Sequence, residues 1–316
     1  MLGIPHTWLP EVTESPAASA RVSSEGAAQT ELLSGTPVVA GAGDQAAQAV
    51  GTGIVGPGVI SVTLGTSGVV FAAAERYQPE PAGRLHTFCH AVPGRWHWMG
   101  VMLSAGGSFR WLRDALGQPE RAQALATGQD PYDLLASQAQ TVAPGCEGLI
   151  FLSYLTGERT PHADPNARGV FFGLTVRHTK GHLIRAVLEG VSYGLRDSLE
   201  LLRELGVEIR QVRATGGGAR SPVWLQILAD VFGAEIVTVN VAQGAAYGAA
   251  LLAAVGVGIF PDVPTACAHT VRVTARFEPG SATKVYARFY QRYRELYPAL
   301  KDQFKLLAEA EEQARG

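Results

Sequence analysis

A chain of 316 residues with 47% hydrophobic residues is long enough to bury one large core or two ordinary ones. Its formal net charge is only −2, so it has no broad basic field to recruit nucleic acid or an anionic membrane. Three widely spaced cysteines, Cys89, Cys146 and Cys267, suit a reducing compartment better than a disulfide framework. Met1 to Pro10 lacks the basic flank and apolar run of an export signal, so a cytoplasmic location is expected.

Taken in chain order, residues 1–34 are rich in Pro, Ser, Ala and Glu and read as connector, with a short helix from Ser23 to Leu33. Thr36 to Ala40 is a short apolar strand. Gly41-Ala42-Gly43 then lets the backbone turn before Asp44, and Gln45 to Val50 form an Ala-rich helix. Val59–Leu64 and Val69–Ala72 are β-branched and aromatic runs joined by Gly65-Thr66-Ser67-Gly68, the pattern of a β-hairpin. A strand at Trp96–Val101 and a helix at Ser104–Leu116 follow, the latter with Phe109, Leu112 and Leu116 on one face. A mixed region leads to a strand at Leu149–Leu152.

Further on, helices at Gly181–Leu205, Ser221–Phe232 and Gly244–Val255 alternate with strands at Ile209–Ala214 and Glu235–Val239, which is the signature of an α/β domain. The longest apolar stretch, Ala245 to Phe260, is too short to span a bilayer and reads as a buried helix and its exit. Ala282–Ala314 is helical, with Pro298 expected to break or kink it. Its aromatic stripe, Tyr286, Tyr290, Tyr293 and Tyr297, reads as intramolecular packing or as a dimer interface.

Five groups of residues are candidates for chemistry. Asp44 stands between a glycine turn and a helix, where it is either a general base or an ordinary N-cap, and Gln45 beside it either meets a polyol hydroxyl or faces solvent. Gly65-Thr66-Ser67-Gly68 offers unobstructed N–H groups and two hydroxyls, suited equally to a phosphate or to a plain hairpin turn. Gly216-Gly217-Gly218, between a strand and a helix N-terminus, suits close approach of an anion or nucleotide. It matches neither the G-x-G-x-x-G fingerprint nor a Walker loop. His86, Cys89 and His90 lie close together but lack the fourth ligand of a structural zinc site, so packing and hydrogen bonding are their expected roles. The loop Gly157 to His162 is either a ligand-approaching segment or a surface turn.

In sequence, PVVAGAGDQAAQAVGTG (37–53), SVTLGTSGVVF (61–71), HTFCHAVPGRWHWMGVMLSAGGSFRWL (86–112), GERTPHADPNARGVFFGLT (157–175) and GGGARSPVWLQILADV (216–231) resemble the FGGY family of sugar kinases, and within it the xylulokinases. Gly169 to Leu174 followed by His182, Leu183, Ala186 to Leu188 and Glu189 matches the family's second signature. The resemblance runs from about Leu9 to about Tyr297. It implies an actin-like ATPase, ribonuclease H-like α/β fold and ATP-dependent phosphorylation of D-xylulose to D-xylulose 5-phosphate, with ATP and Mg²⁺ as cofactors. A family member acting on another ketose or polyol, and a nucleotide-binding fragment without activity, are the alternatives.

By that resemblance Asp44 is the catalytic base, Gln45 touches the sugar, and Gly65, Thr66, Ser67, Gly106, Gly217 and Gly218 surround ATP. No residue of this chain is assigned as a metal ligand. Arg110 stands where the glycerol kinases carry a nucleotide-contacting glutamine. The family's N-terminal domain supplies a first phosphate loop, a metal carboxylate and most sugar contacts. Residues 1–55 are then its remnant, including the Asp44 motif, and residues 56–316 are the C-terminal kinase domain with a helical tail. The chain alone is expected to be inactive, its missing domain being absent or supplied by a separate chain. Family members are frequently homodimers, which makes a homodimer a further expectation.

Overall fold

The computed structural model describes residues 3–314. Near the start, strand β1 (Ala18–Arg21), helix α1 (Ser24–Thr30) and strand β2 (Pro37–Val39) form a small unit, with β1 and β2 paired antiparallel. To the reading of residues 1–34 as connector with a short helix, this adds the strand β1. Every residue of β1 is exposed, so no burial alternation marks it in the sequence. Helix α1 is capped by Ser23, whose hydroxyl accepts from the Gly26 N–H at 3.0 Å, and ends where Glu31 enters the left-handed region, three residues short of Leu33.

Helix α2 (Asp44–Gly51) leads into the main sheet, whose first strands are β3 (Gly58–Leu64), β4 (Gly68–Ala74), β5 (His86–Cys89) and β6 (Trp96–Met102). Helices α3 (Gly106–Leu116), α4 (Gln118–Thr127) and α5 (Pro131–Gln140) follow, then a small antiparallel pair, β7 (Ile150–Leu152) and β8 (Val170–Phe172). The last third alternates α6 (Lys180–Glu204), β9 (Ile209–Thr215), α7 (Pro222–Phe232), β10 (Ile236–Val239), α8 (Gly244–Gly256), α9 (Val263–Thr270), β11 (Val273–Phe277) and α10 (Thr283–Gln313).

Seven strands form one mixed sheet in the order β11-β10-β9-β3-β4-β6-β5. The pairs β3–β9 and β9–β10 are parallel, and the remaining neighbours are antiparallel. Because side chains alternate along a strand, Ile60, Val62 and Leu64 fall on one face, where they join Val70, Ala72, Trp98 and Met102 in the main core with α6 and α7. The opposite face holds Val69, Phe71 and Val101, packed on Ala49 and Ile54 at the end of α2.

Two helices depart from expectation. Helix α10 is continuous through Pro298, which lies on its exposed side, where the carbonyl that loses its N–H partner is open to water. Helix α8 is apolar throughout, but only Gly248, Leu251 and Leu252 are buried, and Ala246, Ala249, Ala250 and Ala253 are exposed. Its buried face lies directly against α2: a Cβ at Gly248 would sit 1.8 Å from the Ala47 carbonyl oxygen, and one at Gly51 would sit 1.9 Å from that of Gly244.

Tyr286, Tyr290 and Tyr293 of α10 are buried, which removes them as a dimer interface. The Tyr286 hydroxyl accepts from Arg185 at 2.6 Å and donates to Glu189 at 2.9 Å, and Tyr290 donates to Asp197 at 2.7 Å. They fasten α10 to α6. Among the described residues no helix is long and apolar enough to cross a membrane.

Candidate active site

The site is built around α2. Four bonds fix its C-terminal end: Thr52 Oγ1 donates to the Gln48 carbonyl at 2.8 Å, Cys267 Sγ to Val50 at 3.1 Å and Arg213 Nη1 to Thr52 at 2.5 Å, while His90 Nε2 meets the Ile54 carbonyl at 2.9 Å. Cys267 and Arg213 thus add side-chain donors to carbonyls at the helix end, where the Val50 carbonyl also accepts from the Gly53 N–H at 2.9 Å. At the other end Gly41, with φ 76°, and Gly43 turn the chain into Asp44, the first residue of the helix. Asp44 is exposed, and among the described residues its Oδ1 accepts only from the N–H of Gln45, at 2.8 Å. A helix N-terminus is a favourable setting for a carboxylate. Gln45 lies half-buried beside it.

One turn further along α2, Gln48 Nε2 donates to Thr63 Oγ1 at 2.6 Å and to Thr215 Oγ1 at 3.2 Å, and the two hydroxyls are 3.1 Å apart. Thr63 and Thr215 are matched residues at the C-terminal ends of the central parallel strands β3 and β9. Ligands of open α/β sheets bind at such ends. Both glycine turns begin there.

The first turn, Gly65-Thr66-Ser67, is tied to the start of α3. Gly106 N–H donates to the Gly65 carbonyl at 2.8 Å, and the N–H groups of Ala105 and Gly107 both donate to that of Thr66 at 3.0 Å. Only glycine fits at 106, because a Cβ would lie 2.5 Å from the Gly65 oxygen. The second turn starts at Gly216, with φ 84°, and touches the first, since a Cβ there would lie 2.8 Å from the Leu64 carbonyl group. Ser221 then caps α7, accepting from the Trp224 N–H at 3.4 Å.

Between the two turns lies a cleft of about 430 Å³, lined by Gly65, Thr66, Gly106, Gly217 and Gly218 together with Phe109, Arg110, Asp130, Tyr132, Arg220, Ser221 and Trp224. Five of the eight sequence-derived site residues are therefore brought together. Asp44, Gln45 and Ser67 stand outside its lining. Tyr132, half-buried with the Arg113 guanidinium 4.9 Å from its ring centre, was not singled out in the sequence, although the preceding Asp130-Pro131 is a helix-start signal. Gln48 was missed because a glutamine inside an Ala-rich helix carries no local signal.

Among the described residues no group of three or more His, Cys, Asp or Glu side chains is placed to hold a metal. The residues present therefore fit Mg²⁺ only as a companion of bound phosphates, an ion that keeps much of its water and needs one or two carboxylates. The carboxylates this chain can offer near the cleft are Asp130 and Asp133 in its lining and the exposed Asp44 outside it. His90 is engaged by Ile54 and by the Val92 N–H, which donates to Nδ1 at 2.9 Å, while Cys89 is an exposed free thiol.

The loop from Gly157 to His162 is largely buried rather than a surface turn. Glu158 and Thr160 are buried, with Glu158 accepting from the Leu103 N–H at 3.0 Å and Thr160 from that of Val101 at 3.0 Å, so the loop braces the strand that leads into Gly106.

Comparison with known proteins agrees with this geometry. The model for the C-terminal domain of the FGGY family of carbohydrate kinases matches residues 60–257. The chain is 34% identical over 302 residues to the xylulose kinase of Bacillus subtilis, covering 95% of this chain and 58% of that protein. It is 40% identical over 233 residues to the gluconokinase of the same organism, covering 73% and 45%. The crystal structure of xylulose kinase from Rhodospirillum rubrum superposes with a TM-score of 0.84 at 34% identity, over 96% of this chain and 59% of that one. The chain thus spans a little over half the length of the curated xylulose kinases it matches. Its fold is the actin-like, ribonuclease H-like α/β fold of these kinases. On these grounds the chain belongs to the FGGY family of carbohydrate kinases.

Proposed function

We propose that this chain carries the catalytic base and one side of the nucleotide site of a kinase that transfers the γ-phosphoryl group of ATP to the terminal hydroxyl of D-xylulose. The observation that carries the reading is the cleft in which Gly65, Thr66 and Gly106 face Gly217 and Gly218 across the ends of β3 and β9. Exposed backbone N–H groups and the Thr66 hydroxyl are what a polyphosphate needs, and glycine admits it without obstruction. Xylulose as acceptor is supported by the xylulose kinases among its relatives, and a gluconokinase among them makes gluconate the competing acceptor.

In this reading Asp44 accepts the proton of the attacking hydroxyl as its oxygen bonds to the γ-phosphorus, and the bond from that phosphorus to the β,γ-bridging oxygen breaks to release ADP. Gln45 holds a neighbouring hydroxyl of the sugar. Gly65, Thr66, Ser67 and Gly106 orient the terminal phosphates, while Gly217 and Gly218 lie against the nucleoside end. Phosphoryl transfer depends chiefly on such positioning and on charge neutralisation. Mg²⁺, when bound with the phosphates, supplies part of that neutralisation.

Residues 1–55 are, in this proposal, the end of a preceding domain whose remainder supplies further metal and sugar contacts, in the same chain or in another. The purified chain alone therefore turns over neither sugar. The test is an ADP-release assay with D-xylulose and gluconate, run on the chain alone and on the chain supplied with a family N-terminal half. Turnover on D-xylulose only with the added half is expected, and turnover preferring gluconate would overturn the substrate assignment.

A further inference from the structure

We infer that Gln48 is a positioning residue that couples the helix carrying Asp44 to the two nucleotide turns. This rests on the nucleotide reading of the cleft but concerns a residue with no part in its lining. Gln48 lies four residues after Asp44, hence on the same face of α2 and one turn behind it. Its amide reaches Thr63 at 2.6 Å and Thr215 at 3.2 Å, so one side chain closes a three-membered network with both central strands. The amide nitrogen faces the threonines, which satisfies all three contacts; the amide oxygen in its place would leave two hydroxyl protons to serve three contacts.

The network sits where movement of the turns must be felt. Thr63 stands two residues before Gly65, and Thr215 directly precedes Gly216. The stem of Gln48 is enclosed on the far side, because a Cβ at Gly244 would lie 2.8 Å from its Cγ. Meanwhile the C-terminal end of α2 is fixed by Thr52, Cys267, Arg213 and the His90 contact just beyond it. Among the described residues Gln48 is the α2 side chain that hydrogen-bonds to the sheet, beside the apolar packing of Ala49 on its other face. Occupation of the cleft, by setting the spacing of the two turns, then fixes the N-terminal end of α2 and with it the Asp44 carboxylate.

The experiment is amide hydrogen exchange on the purified chain with and without Mg·ATP, comparing wild type with Gln48→Leu, Thr63→Val and Thr63→Ser. Nucleotide is expected to slow exchange at residues 47–51 in the wild type and in Thr63→Ser, which keeps the hydroxyl. In Gln48→Leu and Thr63→Val that slowing is lost while ATP affinity stays within about threefold. A role confined to stability would change exchange with and without nucleotide alike. Should Gln48→Leu fail to fold, Thr63→Val and Thr215→Val carry the same comparison. The inference is overturned if the variants that lack the network still show the wild-type slowing, or if ATP binds the wild type without slowing α2. Absence of ATP binding by the wild type would instead remove the nucleotide reading itself, and this inference with it.

Discussion

Gly217 has open space where a Cβ would go, whereas its neighbour Gly218 has Leu64 and Trp224 within 2.8 Å of that position. The two glycines therefore predict different outcomes. Gly217→Val leaves the melting temperature nearly unchanged and weakens ATP binding by about tenfold or more, about 1.4 kcal/mol, because the new side chain occupies the cleft and meets nothing else. Gly218→Val lowers both. Thermal melts beside calorimetric titrations separate them, and a Gly217→Val protein that binds ATP as the wild type does would place the nucleotide elsewhere. Asp44→Asn is the complementary change. Where the chain works together with an N-terminal half, loss of a general base lowers kcat by about 10²–10⁴-fold with nucleotide affinity intact. The two glycine turns were legible in the sequence because glycines stand between regular runs, at the β3–β4 hairpin and at the β9-to-α7 step, and Asp44 because it stands between a glycine turn and a helix. Gln48 was not, since its partners lie 15 and 167 residues away.

At the scale of elements, the pairing of α2 with α8 decides where Asp44 sits. The two backbones touch at Gly51, Gly244 and Gly248, so Gly248→Ala must push the helices apart at a cost of about 1–3 kcal/mol, as overpacking does. Loss of stability together with a larger fractional loss of activity than the melt alone explains is the expected result. Unchanged melting would mean the contact yields freely. The sequence showed both helices but not their pairing, because a uniformly Ala-rich surface has no apolar stripe to mark which face is buried. The same blindness concealed β1, whose four residues are all exposed, and β5, where a short edge strand carries two exposed residues. The central strands were plain because β3 and β4 carry β-branched and aromatic runs, buried along most of their length.

For the whole molecule, buried ionisable groups set a pH dependence. Burial pushes Glu158 up to about 8 and Asp197 up to about 7, with Arg159 opposing the shift at the first and Arg294 and Arg196 at the second. Between the ordinary carboxyl range and those values the folded chain holds more protons than the unfolded one, so stability falls as pH rises through that window. His90, His97 and His162 are each pushed down by burial to about 4. They act oppositely: the unfolded chain binds more protons from about pH 4 to about 6.5, and stability rises with pH there. Burial raises Glu189 as well, so below about pH 6.5 the carboxyls and the histidines oppose one another, and above it the histidines no longer act. The melting temperature should therefore decline from about pH 6.5 toward pH 8, with Glu158→Gln flattening the decline. Melting temperatures that keep rising to pH 8 would contradict this assignment.

The central claim is that Gly65, Thr66, Gly106, Gly217 and Gly218 form one side of an ATP site in a chain that carries the catalytic base but not a complete sugar site. Calorimetric titration of the purified chain with Mg·ATP, wild type beside Gly217→Val, followed by addition of D-xylulose in an ADP-release assay, tests it most directly. The account predicts saturable binding in the wild type, its loss in the variant, and no turnover by either. No binding by the wild type, or xylulose turnover by the chain alone that Asp44→Asn abolishes, would contradict it.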